Sequence, residues 1–157
     1  MEALLPVYIE IEKDSNIKYE YNKTTSTLDI DRMLPPTHAY PYAYGFFPNT
    51  FAADGDELDV LIIRNTNDIK NNTTYKAYII GALVMEDEKG MDEKVLCVLE
   101  DDYLLIRDIS QVSDEAKERI NTFFSSYKIN VPGKWSKTYG FINREHAIEL
   151  YERSVVV

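Results

Sequence analysis

Asp54-Gly55-Asp56-Glu57-Leu58-Asp59-Val60-Leu61-Ile62-Ile63 sets three aspartates directly ahead of an apolar strand. The glycine between the first two permits a tight turn and close backbone approach. Alternation along the strand puts Asp59 on one face with Leu61 and Ile63. A carboxylate at the inner edge of a buried strand is costly unless it is paired or bound to a cation. Several carboxylates together repel one another, and hard, oxygen-loving divalent ions relieve that repulsion. A bare acidic turn is the bland alternative. A calcium loop of the EF-hand type is disfavoured, because no Glu stands at its twelfth position and no helices flank it.

Outward from this stretch, strands dominate. Residues 7–12 alternate, with Val7, Ile9 and Ile11 on one face. Residues 18–21 and 28–32 read as two arms of a hairpin turning at residues 24–26. In the second arm Arg32 shares a face with Leu28 and Ile30, where it calls for an anionic partner. Residues 33–53 read as irregular. The apolar runs 77–85 and 94–99, with a polar loop around Gly90 between them, predict a second hairpin. After residue 112 the period becomes helical. Ser113 caps one helix bearing Ala116, Ile120, Phe123, Phe124 and Tyr127, and Asn143 caps another bearing Ala147, Ile148 and Tyr151. Strands first and helices last predict an α+β architecture, a small antiparallel sheet or barrel with helices outside.

The bulk properties bound the function. A chain of 157 residues fits a single domain over 1–157. Its net charge of −10 disfavours nucleic acid and anionic membranes as partners. No apolar run is long enough for a transmembrane helix, and Met1 to Pro6 lacks the pattern of a signal peptide. The lone Cys97 excludes an internal disulfide and suits a reducing cytoplasm.

Two further groups carry chemistry. Asp87 and Asp92 flank Gly90 on opposite arms, so they can approach one another, and Asp92 and Lys94 fall on the face of Leu96 and Val98. Tyr40-Pro41-Tyr42-Ala43-Tyr44-Gly45-Phe46 concentrates phenols, Tyr127-Lys128 closes the first helical stripe, and Gly133-Lys134-Trp135 follows.

In this order the segments resemble the family I soluble inorganic pyrophosphatases. The resemblance runs over residues 7–140. It rests on Ile9-Glu10-Ile11, Ile17-Lys18-Tyr19-Glu20, Asp31-Arg32, Tyr40-Pro41, Tyr44-Gly45-Phe46 and Asp54-Gly55-Asp56 with Leu58-Asp59-Val60-Leu61. Beyond these it rests on Asp87, Gly90, Asp92, Lys94, Phe123-Phe124, Tyr127-Lys128 and Gly133-Lys134-Trp135. It implies a small five-stranded OB-type antiparallel β-barrel with two C-terminal helices packed outside. It implies Mg²⁺-dependent hydrolysis of pyrophosphate to two phosphates. It assigns Asp54, Asp59, Asp87 and Asp92 to metal, Glu20 to further magnesium, and Asp56 to the attacking water, with Glu10 in support. It assigns Lys18, Arg32, Lys94, Tyr127 and Lys128 to phosphate and Tyr44 to a hydrogen bond near water and metal. The family's bacterial members are commonly hexamers, so the resemblance implies a homo-oligomer.

The chain departs from the family in three places. It is short, with a trimmed connection over residues 100–112. Glu57 stands where many members have Pro. Thr122 and Ser126 stand in a helix that carries histidines in many bacterial members. Three rival functions are an OB-type nucleic-acid module, an inactive structural relative, and a hydrolase of other phosphoanhydrides. The first is opposed by the charge and the second by the full set of matching carboxylates.

Overall fold

The computed structural model describes residues 3–128 and 130–156. Met1 and Glu2, part of the N-terminal reading above, lie outside the described residues. The chain forms strands β1 (Leu5–Ile11), β2 (Ile17–Asn22), β3 (Thr27–Met33), β4 (Ala43–Phe46), β5 (Asp59–Ile62), β6 (Thr73–Asp87), β7 (Gly90–Met91) and β8 (Lys94–Leu99). Helix α1 (Asp114–Ser126), strand β9 (Ser136–Asn143) and helix α2 (Arg144–Ser154) follow.

Five strands pair in a closed ring. β1 pairs β4, β4 pairs β5, β5 pairs β8, β8 pairs β6, and β6 returns to β1. The expected barrel is therefore present. Four of its pairings are antiparallel, but β5 and β8 run parallel. The physical reason is that the long strand β6 lies between them in sequence. The chain crosses over through β6 and comes back to the edge of β5 in its original direction.

Burial on both faces explains the apolar runs. Val60 and Ile62 of β5, with Val95 and Cys97 of β8, belong to one cluster, which also takes in Ala147 and Ile148 of α2. Leu61, Leu96 and Val98 point the other way, into a cluster that takes in Ala116, Ile120, Phe123 and Phe124 of α1. Each strand thus contributes to two cores at a period of two residues. The helices begin where their caps dictate. Ser113 Oγ accepts from Ala116 N at 3.1 Å, and Asn143 Oδ1 accepts from His146 N at 3.0 Å.

Besides the two-residue β7, which lies in the loop read around Gly90, two elements were not legible as strands. β4 lies inside the segment read as irregular. It is four residues long and follows Pro41, too short for a periodic signal. β9 pairs β6 at the sheet's edge, with Gly140 interrupting its apolar residues. The hairpin β2–β3 forms as read, but it is a separate two-stranded sheet. Its supposed apolar face is open, with Ile30 60% exposed. Because that face is not buried, Arg32 needs no buried anion. Its guanidinium lies 5.8 Å from the centre of the Tyr127 ring.

Gly45 holds the closest approach in the ring. A Cβ there would run into the carbonyl oxygen of Tyr8 on β1. Gly45→Ala is expected to force β1 from β4 and destabilise the fold by about 3 kcal/mol or more. Urea unfolding checks this, with the midpoint shifting at an unchanged slope.

Candidate active site

The turn that carries the aspartates is built by its own backbone. Asp54 Oδ1 accepts from Asp56 N at 3.1 Å, and Ala52 N donates to Asp56 O at 2.7 Å. Gly55 adopts φ +91°, open to glycine and strained for other residues. Thr50 anchors the exit, its Oγ1 donating to Phe47 O at 2.6 Å and accepting from Leu58 N at 2.9 Å. The C-terminal end braces the entry, where Phe51 N donates to Ser154 O at 2.7 Å and Val156 N to Asn49 O at 2.9 Å.

Register then brings charge together. Asp59 and Lys94 are Cα partners across the parallel β5–β8 pair. Both stand on the face whose next residues, Leu61 and Leu96, enter the α1-side core. Lys94 is 1% exposed. Its ammonium donates to Asp59 Oδ2 at 2.7 Å, Asp92 Oδ2 at 2.9 Å and Tyr44 Oη at 3.0 Å. The rings of Tyr44 and Phe124 lie 5.5 Å from its Nζ. An ammonium has three donors, and all three are engaged. Lys94 can therefore meet a phosphate only by releasing one of these partners.

Asp54, Asp59 and Asp92 each offer a carboxylate oxygen, and these oxygens lie within 4.8 Å of one another. Burial pushes the Asp59 carboxyl up to about 7, with the charge of Asp92 adding to it against Lys94. Burial likewise pushes Asp54 up to about 6, with Asp92 in support. For Asp92 burial acts upward too, but Lys94 and hydrogen bonds from Asp54 and Asp59 outweigh it and hold this carboxyl at about 2. Burial pushes Lys94 down, yet Asp59 and Asp92 hold its ammonium charged. The group thus keeps one firm carboxylate and two that resist ionising until more positive charge arrives.

A cavity of about 690 Å³ opens from this group. Of the residues singled out in the sequence, it is lined by Glu10, Lys18, Glu20, Tyr44, Asp54, Asp56, Asp59, Asp87, Asp92, Lys94, Tyr127 and Lys128. Arg32 is not among the lining residues. Asp87 lines the cavity but stands outside the three-carboxylate group. Its Oδ2 accepts from Lys128 Nζ at 2.9 Å and its Oδ1 from Lys89 N at 2.9 Å. Lys128 also reaches Glu88, at 3.2 Å. Lys18 pairs with Asp31 at 2.8 Å. Asp56 is exposed at the cavity, and among the described residues its carboxylate accepts no hydrogen bond. Glu10 accepts from Tyr21 N at 2.8 Å. Burial pushes its carboxyl up to about 8, against that bond and with Asp59 adding to it.

Sequence reading passed over three residues here. Asp31 and Lys134 line the cavity, and both lie in segments already marked, beside Arg32 and between Gly133 and Trp135. Tyr40 is fully buried against Tyr44 and Phe123, and its hydroxyl has no hydrogen-bond partner among the described residues. In a run of tyrosines nothing separates such a phenol from a packing one.

The carboxylates set a pH dependence. Asp54 and Asp59 hold protons in the folded chain over a window, from the ordinary 3.8 up to about 6 and 7, in which the unfolded chain has released them. Stability in EDTA therefore falls as pH rises through that window. A divalent cation held by these carboxylates would compete with those protons, so an excess of it is expected to raise the melting temperature by about 5 °C at pH 8 and by less at pH 5. Calorimetric melting at both values checks this, and equal shifts would contradict it.

Comparison with known proteins agrees with the geometry. A family model described as inorganic pyrophosphatase matches residues 7–156. The inorganic pyrophosphatase of Helicobacter pylori strain J99 is 41% identical over 155 residues, covering 96% of this chain and 89% of the relative. That of Thermus thermophilus is 40% identical over 145 residues, covering 90% and 82%. The solved structure of the Helicobacter pylori enzyme superposes with a TM-score of 0.92 at 40% identity, covering 97% of this chain and 91% of that one. For Thermus thermophilus the TM-score is 0.92 at 35% identity, covering 97% and 89%. With a match over nearly its whole length, the chain belongs to the inorganic pyrophosphatase family.

Proposed function

We propose that this protein is a single catalytic domain that hydrolyses inorganic pyrophosphate to two phosphates with Mg²⁺ as its cofactor. The observation that carries the reading is one cavity in which three clustered carboxylates face the ammonium groups of Lys18, Lys94, Lys128 and Lys134. Anionic and cationic groups side by side suit a ligand of high negative charge that arrives with divalent cations.

The donor set fits magnesium. Asp54, Asp59 and Asp92 offer hard oxygens in mutual reach, and the raised carboxyls of Asp54 and Asp59 mark a shortage of positive charge. Asp87 completes the set of metal aspartates once Lys128 turns from it to phosphate. Asp59 also serves a second ion and Glu20 further ones. Magnesium held by these carboxylates would supply positive charge to the phosphate oxygens and lower the pKa of a water.

The chain's own residues do the rest. Asp56 has its carboxylate free at the cavity and takes the proton of the attacking water. Lys18, Arg32, Tyr127 and Lys128 bind the phosphates, with Lys18 and Arg32 on the leaving group. Arg32, its guanidinium 5.8 Å from the centre of the Tyr127 ring and outside the cavity lining, must turn inward to meet a phosphate, and its planar fork suits two phosphate oxygens at once. Lys94 holds Asp92 ionised and keeps both Asp59 and Asp92 in place. Its positive charge faces phosphate through them, and Tyr44 fixes its third donor. Tyr44, which also lines the cavity, would hydrogen-bond near the attacking water.

For assembly and location we propose a homo-oligomer, a hexamer by the habit of the family's bacterial members, in the cytoplasm. Leu104 and Leu105, 74% and 79% exposed, supply apolar surface for subunits to cover. No helix among the described residues is long and apolar enough to cross a membrane. The charge of −10 supports the absence of nucleic acid among its partners.

The test is phosphate release from pyrophosphate in Mg²⁺ and in EDTA, with wild type and Asp56→Asn. Wild type is expected to turn over in Mg²⁺ alone. Asp56→Asn should fold normally and lose about 100-fold or more in kcat. A folded wild type without turnover overturns the reading, and near wild-type turnover by Asp56→Asn overturns that residue's role.

A further inference from the structure

The cavity has two walls of different make. One is the aspartate turn, fixed to the barrel through Thr50 and the C-terminal end. The other is the β2–β3 hairpin, which carries Lys18, Glu20 and Asp31 yet shares no strand pairing with the barrel. At its base its two arms are closed on each other by Leu34 N to Asn16 O at 2.8 Å and by Asn16 Nδ2 to Leu34 O at 3.1 Å. Midway it is tied by Tyr21 N to Glu10 Oε2 at 2.8 Å. Its turn, over residues 23–26, projects past these ties.

Across the mouth, Lys23 Nζ at that turn meets Glu57 Oε2 on the aspartate turn at 2.8 Å. Among the described residues it is the one ion pair between the two walls. The partners differ in setting. The Lys23 side chain is 73% exposed, whereas that of Glu57 is 16% exposed and its Oε2 is closed off from solvent without a hydrogen bond. The Lys23 charge is the compensation that oxygen has. Glu57 lies one residue from Asp56 and two from Asp59, so a hold on its side chain is a hold on the turn.

We propose that Lys23 and Glu57 form a clasp across the cavity mouth that positions the Lys18-bearing hairpin over the aspartate turn. It deepens the proposed function and rests on it. Neither residue contacts substrate in this scheme; both are positioning residues. With the clasp closed, Lys18 stands opposite the carboxylates before pyrophosphate arrives. With it broken, the hairpin pivots on its base and that alignment is made at the expense of binding. The effect falls on substrate affinity rather than on the chemical step. It weakens with salt, because one partner is exposed.

The test is a charge cycle with Lys23→Gln, Glu57→Gln, the double variant, and the swap Lys23→Glu with Glu57→Lys. Two readouts apply: steady-state kinetics on magnesium pyrophosphate, and hydrogen exchange of the amides of residues 17–33. Each single variant is expected to raise KM about threefold to fivefold at low salt with kcat within twofold, the size an exposed ion pair supports. The double variant should be no worse than either single one, and the swap should restore KM. Hairpin amides should exchange faster in the singles and regain protection in the swap. Additive effects, an unchanged KM, or unchanged exchange would overturn the clasp. A wild type that does not hydrolyse pyrophosphate would overturn the proposed function instead, and the exchange readout would still decide whether the clasp holds the hairpin.

Discussion

The burial of one ammonium organises this protein. Lys94 sits at the start of β8 with 1% of its surface exposed. A cation there is untenable without compensation. The compensation is Asp59, placed by the parallel β5–β8 register, and Asp92, two residues ahead on the same face. Both carboxylates must then stand at one end of the barrel. Asp54, delivered by the preceding turn, adds a third and overfills the site with negative charge. Three carboxylates and one ammonium leave a formal charge of −2, the charge one divalent ion cancels. The carboxylates that make the buried ammonium tolerable thus leave the site short of positive charge.

The fold separates the rigid from the adjustable. The carboxylates sit on barrel strands or on a turn anchored to them, so their geometry is inherited from packing on both faces of β5 and β8. The cationic groups come from elsewhere. Lys128 follows α1, Lys134 precedes β9, and Lys18 rides on a hairpin outside the ring. In this structure Lys18 and Lys128 are each paired with an acidic neighbour, Asp31 and Asp87. The Lys18–Asp31 pair is exchangeable at modest cost, since both partners keep contact with solvent, whereas the more buried Lys128–Asp87 pair needs a replacement charge for Asp87 before it opens. A highly charged anion can displace the first of these, whereas the Lys94 group is locked.

Much of this was legible in the residues. The acidic turn, its run into a buried strand, the second hairpin and both capped helices each carry a local signal, in spacing or in cap chemistry. β4 and β9 do not. One is four residues long after a proline, and the other is an edge strand interrupted by glycine, so tertiary pairing rather than pattern makes them strands. The open face of β3 misled for a related reason. Alternation says which residues share a face but not whether anything covers it. In the site, the carboxylates were legible because aspartates ahead of an apolar run are costly and therefore conspicuous. Tyr40 and Lys134 were not, since a tyrosine among tyrosines and a lysine in a loop carry no such cost.

The most direct measurement is crystallographic. Crystals grown with Mn²⁺, whose anomalous scattering marks its position, would show where a divalent ion binds. The account expects an ion held by Asp54, Asp59 and Asp92 while Lys94 keeps its contacts to the last two. An ion bound elsewhere in the cavity with these three carboxylates unmoved, or Lys94 driven from Asp59 and Asp92 on binding, would contradict it.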